Sequence, residues 1–252
     1  MAKGSGSTRS KGPSKVDYSK KSMSADDVRE NWDKIDKFVN SNTDKFREAM
    51  NNGTLPDWVT RDKNIRDVLD TIVKAREVGD IIQNEAEQVA ARHGGTVTPI
   101  NYKGFASTHR KVTNPNAPTP IWDLGDSVRN TIVVGRGGID GVVADLERLP
   151  SFDRHKTQST DYGYTGHLLN FRMPNGIRAE IQVNTPKMIY AKESPEVAKR
   201  ILGTKVWNRI RKETGLEGGL GHRYYEKGRK LDDGPELDEI KRQSREYYSH
   251  FS

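Results

Sequence analysis

The sequence predicts an α+β fold: one mixed central β-sheet flanked by helices. Three observations predict it. Apolar residues recur at helical spacing on both sides of a central stretch that reads as strands. The stretch around Pro174-Asn175-Gly176 alternates with a period of two, as a hairpin does. The chain has 252 residues, enough for a real core, and no apolar run of the roughly 18 residues that a membrane helix needs.

Residues 1–23 carry six Lys or Arg and one Asp in a Gly/Ser-rich stretch, so five of the seven net positive charges lie there. This reads as a disordered basic tail, with residues 24–252 as a single domain. The tail lacks an apolar h-region and is not expected to be a secretory signal, which makes a cytoplasmic protein the simplest expectation. There is no cysteine, which excludes disulfides, thiolate-bound zinc, iron–sulfur sites and a thiol nucleophile.

Ser24 to Asp27 looks like a capping box, followed by Val28, Trp32, Ile35 and Val39 at helical spacing up to about Gly53. A longer helix is expected from about 61 to 93, with Ile65, Val68, Leu69, Ile72, Val78, Ile82, Ala86 and Val89 as its stripe and Gly94-Gly95 as its stop. Thr96–Pro99 is short and β-like, and Tyr102–Val112 is mixed and basic. Three prolines in Asn114–Pro120 mark a loop. Thr131–Val134 reads as a buried strand, and Gly135-Arg136-Gly137-Gly138 as a tight turn into a short helix. That turn is not a dinucleotide loop, because Asp140 stands where the third glycine would be. Residues 151–161 read as a polar loop. Helices are expected at about 186–202, 204–214, 219–230 and 235–249.

The hairpin is the most informative segment. A two-residue Asn-Gly turn would set Phe171 against Glu180. A turn with Pro174 and Asn175 central and Gly176 left-handed sets Met173 against Ile177, Phe171 against Ala179 and Leu169 against Ile181. Burial of one face specifies register strongly, so the second pairing is expected. The opposite face then bears Tyr164, Asn170, Arg172, Arg178, Glu180, Gln182 and Asn184. An aromatic, an acid, amides and two arginines are an unusual set for an ordinary solvated face.

At these residues the chain resembles the synthetase domain of the RelA/SpoT family. Lys103, Ser107, Arg110 and Lys111 fall in register with a basic R-x-K-S-x-x-S-x-x-R-K segment. Asp126-Ser-Val-Arg129-Asn-Thr-Ile-Val-Val is similar to an acidic residue leading into an R-x-(I/T)-I-V strand. Gly163-Tyr164 and Glu180-Ile-Gln182-Val-Asn184-Thr are similar to G-Y-x-S-L-H and E-V-Q-I-R-T, and Gly221-His222-Arg-Tyr224 to an H-x-x-Y of a later helix.

The resemblance implies a nucleotidyltransferase-like fold. It also implies transfer of the β,γ-pyrophosphate of ATP, with Mg2+, to the 3′-hydroxyl of an acceptor nucleotide. Lys103, Ser107, Arg110, Lys111 and Arg129 would hold ATP, since several cations must neutralise its phosphates. Asp126 and Glu180 would be the catalytic and metal-binding carboxylates, because Mg2+ takes carboxylate and phosphate oxygens. Tyr164, Gln182, Asn184 and His222 would bind the acceptor. A guanine nucleotide, GDP or GTP, is the acceptor of first choice. Adenine nucleotides and the 3′ end of tRNA are the alternatives, as is an inactive nucleotide- or RNA-binding module. A toxin role with an antitoxin partner is a further expectation.

There are departures. Asn101 stands where the family has an arginine, with Tyr102 beside it as a candidate substitute. Asn184 replaces the arginine of E-V-Q-I-R-T, and Leu168, not His167, occupies the histidine position of S-L-H. None of the six histidines precedes an Asp, so the His-Asp motif of the family's hydrolases is missing from this sequence.

Overall fold

The computed structural model describes residues 31–251. The capping box at 24–27 and the basic tail lie outside the described residues. The first helical stretch is two helices, α1 (Trp32–Ser41) and α2 (Thr43–Asn52), broken at Asn42. A single turn, α3 (Asp57–Thr60), leads to the long α4 (Lys63–Arg92). Asp62 caps α4 by accepting from the backbone of Asn64 and Ile65, which satisfies amides that have no partner inside the helix. Gly94, at φ +64°, turns the chain out of it.

The sheet follows. Strands β1 (Thr96–Val97) and β2 (Asn101–Tyr102) both pair antiparallel with β3 (Val128–Val133). Between them lies α5 (Phe105–Val112), a helix where the sequence showed only a basic stretch. It forms because Phe105 and Thr108, one turn apart, both bury, Phe105 joining the cluster built by α1 and α4. Strand β3 ends in the short turn Arg136–Gly138 and α6 (Ile139–Glu147), as expected.

Residues 152–159 are a strand, β4 (Phe152–Ser159), where a loop was expected. β4 is an edge strand with a register shift near its start, so it carries polar residues on both faces and shows little alternation. Strands β5 (Thr165–Arg172) and β6 (Arg178–Asn184) complete the order β1-β3-β6-β5-β4, with β3 and β6 parallel. Four helices close the fold: α7 (Pro186–Lys192), α8 (Pro195–Thr214, bent at Gly203), α9 (Leu220–Gly228) and α10 (Pro235–Ser249).

The hairpin register is the expected one. Phe171 pairs with Ala179, Leu169 with Ile181 and Asn170 with Glu180. Gly176 takes φ +86°, and the Met173 amide donates to the Ile177 carbonyl at 2.9 Å. Leu169, Phe171, Ala179 and Ile181 are fully buried against α4 and α6. Each large side chain among them contributes about 1.5–3 kcal/mol, which fixes the polar face on the other side. That face looks toward α7 and α8, whose aromatic cluster with α10 includes Tyr164. Among the described residues, no helix is long and apolar enough to cross a membrane.

Candidate active site

The parallel pairing of β3 with β6 builds the centre of the site. It sets Arg129 beside Glu180 and Thr131 beside Gln182. On the other side of β6, Asn170 stands opposite Glu180. Strand alternation therefore puts Arg129, Glu180, Gln182 and Asn184 on one face. All but Arg129 are buried, although they are polar.

Asp126 lies just before β3. The Lys103 ammonium donates to its Oδ2 at 2.6 Å and the Lys111 ammonium to its Oδ1 at 3.0 Å. Lys103 arrives because its amide extends the β2–β3 ladder, donating to the Ser127 carbonyl at 2.9 Å. Lys111 arrives from α5, one turn beyond Ser107 on the same face. Arg110 is exposed on that helix and Ser107 half-buried. Burial works against the Asp126 charge, but the two ammoniums outweigh it and hold its carboxyl below the usual aspartate range.

Glu180 is pushed the other way. Its burial disfavours the charge and the Asp126 carboxylate adds to this, so its carboxyl sits above the usual glutamate range. Gln182 Nε2 donates to Glu180 Oε1 at 2.8 Å and fixes one of its oxygens.

The loop carrying Asp126 is tied to the hairpin. Asn170 Nδ2 donates to the Gly125 carbonyl at 3.0 Å, while Arg154 Nε donates to Asn170 Oδ1 at 2.8 Å. The buried Arg178 donates to Asp123, to the Trp122 carbonyl at 3.3 Å and to Asp153 at 2.7 Å.

Beside Gln182 a cleft of about 420 Å³ opens between the sheet face and the helices, reaching Arg76, Asn101, Arg129, Lys192 and Arg200. Asn101 pairs with Arg129 and shares its face, whereas Tyr102 pairs with Val128. The Tyr102 ring lies under the Arg76 guanidinium at 3.9 Å, and its hydroxyl rests on Gly79. Tyr102 lines the same cleft, with its ring drawn toward α4.

The residues expected at the acceptor are spread out. Tyr164 is only 9% exposed; its hydroxyl accepts from Asn184 Nδ2 at 2.7 Å, Tyr248 meets its ring edge to face, and the Lys192 ammonium lies 5.1 Å from its centroid. A base would stack there only after Lys192 moved aside. His222 sits on the exposed side of α9, near Glu226 at 4.0 Å and against Tyr225. Its contacts join it to neither carboxylate. Lys192 and Arg200 were not legible as site residues, since they come from helices whose approach to the sheet no local motif announces.

No family model matches the chain. The (p)ppApp synthetase toxin Tas1 of Pseudomonas aeruginosa is 38% identical over 167 residues, 65% of this chain and 37% of that protein. The chain thus matches little more than a third of this relative's length. The crystal structure of the type VI effector Tas1 in complex with its immunity protein superposes with a TM-score of 0.63 and 32% identity, covering 72% of this chain and 94% of that one. The chain belongs to the RelA/SpoT-like synthetase family. The crystal structure of small alarmone synthetase 1 from Bacillus subtilis is similar at 16% identity over 71% of this chain and 86% of its own, with a TM-score of 0.44. The mixed sheet with flanking helices is the fold of the synthetase family.

The family implies Mg2+, and the donor set of this face fits it. Asp126 and Glu180 offer hard oxygen donors, with the Asp126 oxygens also ion-paired to Lys103 and Lys111, and among the described residues no group of three His, Cys, Asp or Glu is placed to hold a metal by itself. Two carboxylates without a full protein cage suit an ion that keeps waters and shares substrate phosphates.

Proposed function

We propose that this chain moves the β,γ-pyrophosphate of ATP onto the 3′-hydroxyl of a nucleotide. One observation carries the reading: two carboxylates of one site whose environments push their protonation in opposite directions. Such a split is how acid–base roles are divided between similar groups. Glu180, buried and held by Gln182, has the raised pKa of a group that can take the proton of the acceptor hydroxyl at neutral pH. Asp126, kept ionised by Lys103 and Lys111, is the better metal carboxylate.

Mg2+ bound by Asp126 and Glu180 would supply charge neutralisation at the donor phosphates. Lys103, Lys111, Arg110 and Arg129, with Ser107, would orient the triphosphate, and Arg129 is placed one strand from Glu180. Gln182 keeps the base oriented. Asn184 braces the Tyr164 hydroxyl and so shapes the acceptor side.

The acceptor we propose is an adenine nucleotide. The relative's printed name describes a (p)ppApp synthetase, and this chain departs from the family's guanine-using pattern at Asn184 and Leu168. By the same similarity, the chain acts as a toxin and meets a protein inhibitor, as Tas1 does in its complex with an immunity protein.

The test is direct. The protein is incubated with ATP, Mg2+ and separate pools of AMP, ADP, GDP, GTP and deacylated tRNA. Pyrophosphate should appear on the adenine nucleotides. Transfer to guanine nucleotides or tRNA alone overturns the acceptor, and transfer to none overturns the enzyme and leaves a binding module.

A further inference from the structure

A second cavity, larger than the cleft beside Gln182, lies elsewhere among the described residues. It encloses about 690 Å³ at the carboxyl ends of the parallel strands β3 and β6. That is the size of a small-molecule site, and such strand ends are where sheets of this kind bind ligands. Among the residues assigned to pyrophosphate transfer, only Asn184 reaches it.

One wall carries a hydrogen-bonded chain that the transfer reaction does not use. His155 Nδ1 lies 2.8 Å from Glu147 Oε1, and His155 Nε2 lies 3.0 Å from His167 Nδ1. An ionised carboxylate only accepts, so His155 Nδ1 carries a proton, and in the neutral ring Nε2 accepts. His167 Nδ1 then donates, and His167 Nε2 keeps a lone pair. Three elements, α6, β4 and β5, cooperate to fix this tautomer. Burial holds the His167 pKa below the usual histidine range. His167 lines the cavity as a neutral acceptor.

Three cations, Arg136, Lys187 and Arg209, line the same cavity against two carboxylates, Asp140 and Glu213. Arg136 sits in the Gly135–Gly138 turn, exposed and with no ion pair among the described residues. Lys187 and Arg209 share one carboxylate, Glu213, at 3.9 Å each. Val183, Ile210 and Phe251, all buried, add an apolar part to the lining. An acceptor nitrogen, an apolar part and an excess of cations over carboxylates call for a ligand with a hydroxyl at one end and an anion at the other.

We propose that this cavity is a second ligand site, taking a phosphorylated, hydroxyl-bearing small molecule of nucleoside-monophosphate size. A ligand hydroxyl donates to His167 Nε2 and the phosphate rests on Arg136. The site stands independently of the transfer reaction.

AMP, ribose 5-phosphate and inorganic phosphate are each titrated into the full chain without Mg2+. Binding is followed by calorimetry and by the histidine ring resonances. The expected result is that AMP and ribose 5-phosphate shift the His167 signals. His167→Ala and Arg136→Ala should each weaken that binding by about tenfold or more, the loss expected for a buried or charged hydrogen bond. Transfer kinetics should stay unchanged in both. If His167→Ala lowers the melting temperature, Arg136→Ala on its exposed turn carries the test alone. Unmoved His167 signals at millimolar probe, or binding indifferent to both substitutions, overturn the proposal. Inorganic phosphate binding as tightly as ribose 5-phosphate overturns the hydroxyl half of it. A protein that failed to transfer pyrophosphate would leave this result unaffected.

Discussion

Replacing Arg178 by Met should cost about 3 kcal/mol of stability, and the structure shows why. The Arg178 side chain is 6% exposed and its guanidinium serves Asp123, Asp153 and the Trp122 carbonyl. Removing one partner of a buried ion pair costs about 3–5 kcal/mol, because the other charge is left in a poor dielectric. Two features pull the figure to the low end. Asp153 keeps Arg172 at 2.8 Å, and Asp123 keeps Arg154 at 3.1 Å and is 32% exposed. For a chain of this size the loss amounts to a fall in Tm of about 6–12 °C. Urea unfolding and thermal melts of Arg178→Met beside the wild type measure it. The double variant Asp123→Asn/Arg178→Met should lose less than the two single losses added together, since the charges are coupled. A loss below about 1 kcal/mol, or strict additivity, refutes the reasoning.

Other outcomes follow from the same geometry. Glu180→Gln should lower the transfer rate by about 100-fold or more with little change in Tm, measured by product formation and a melt, because the amide keeps the shape and loses the base. Glu180→Gln should also abolish any acid limb of the rate profile that the Glu180 carboxyl sets. For stability the signs of the two carboxylates differ. The lowered pKa of Asp126 gives stability that is present above the ordinary aspartate pKa and lost as pH falls through its folded value. Asp126→Asn should flatten that acid loss in a pH series of unfolding curves. Gly163→Ala should destabilise by more than about 1 kcal/mol in urea unfolding. Its φ is +87°, and an added Cβ would lie 2.8 Å from the Arg245 Cα.

Much of the fold was legible, and the reasons are local. The stripe of α4 ran unbroken to Gly94-Gly95, and the last two helices fell close to their expected limits, whereas the break expected near residue 203 lies at 193–194 and leaves only a kink at Gly203. Strand β4 was not legible, because an edge strand with polar residues on both faces carries no period-two signal. Helix α5 was missed for a related reason: two buried positions one turn apart are too few to show a stripe. In the site, the motifs singled out Lys103, Lys111, Asp126, Glu180 and Gln182, and the structure brings these five together. The fourth and weakest match added His222, whose contacts join it to neither carboxylate, because a motif match records order along the chain and not position in space.

The sequence by itself determined the hairpin register and hence the polar face. Alternation and the Pro-Asn-Gly turn admit one pairing that buries Leu169, Phe171 and Ile181 together, and that pairing turns Glu180 and Gln182 the other way. Only the tertiary structure decided which charges meet on that face. The ammoniums that set the protonation of Asp126 come from 23 and 15 residues away. The ammonium that covers Tyr164 comes from a helix packed over the sheet. The strength and sign of a pKa shift depend on distance and burial, and both are products of packing rather than of spacing along the chain.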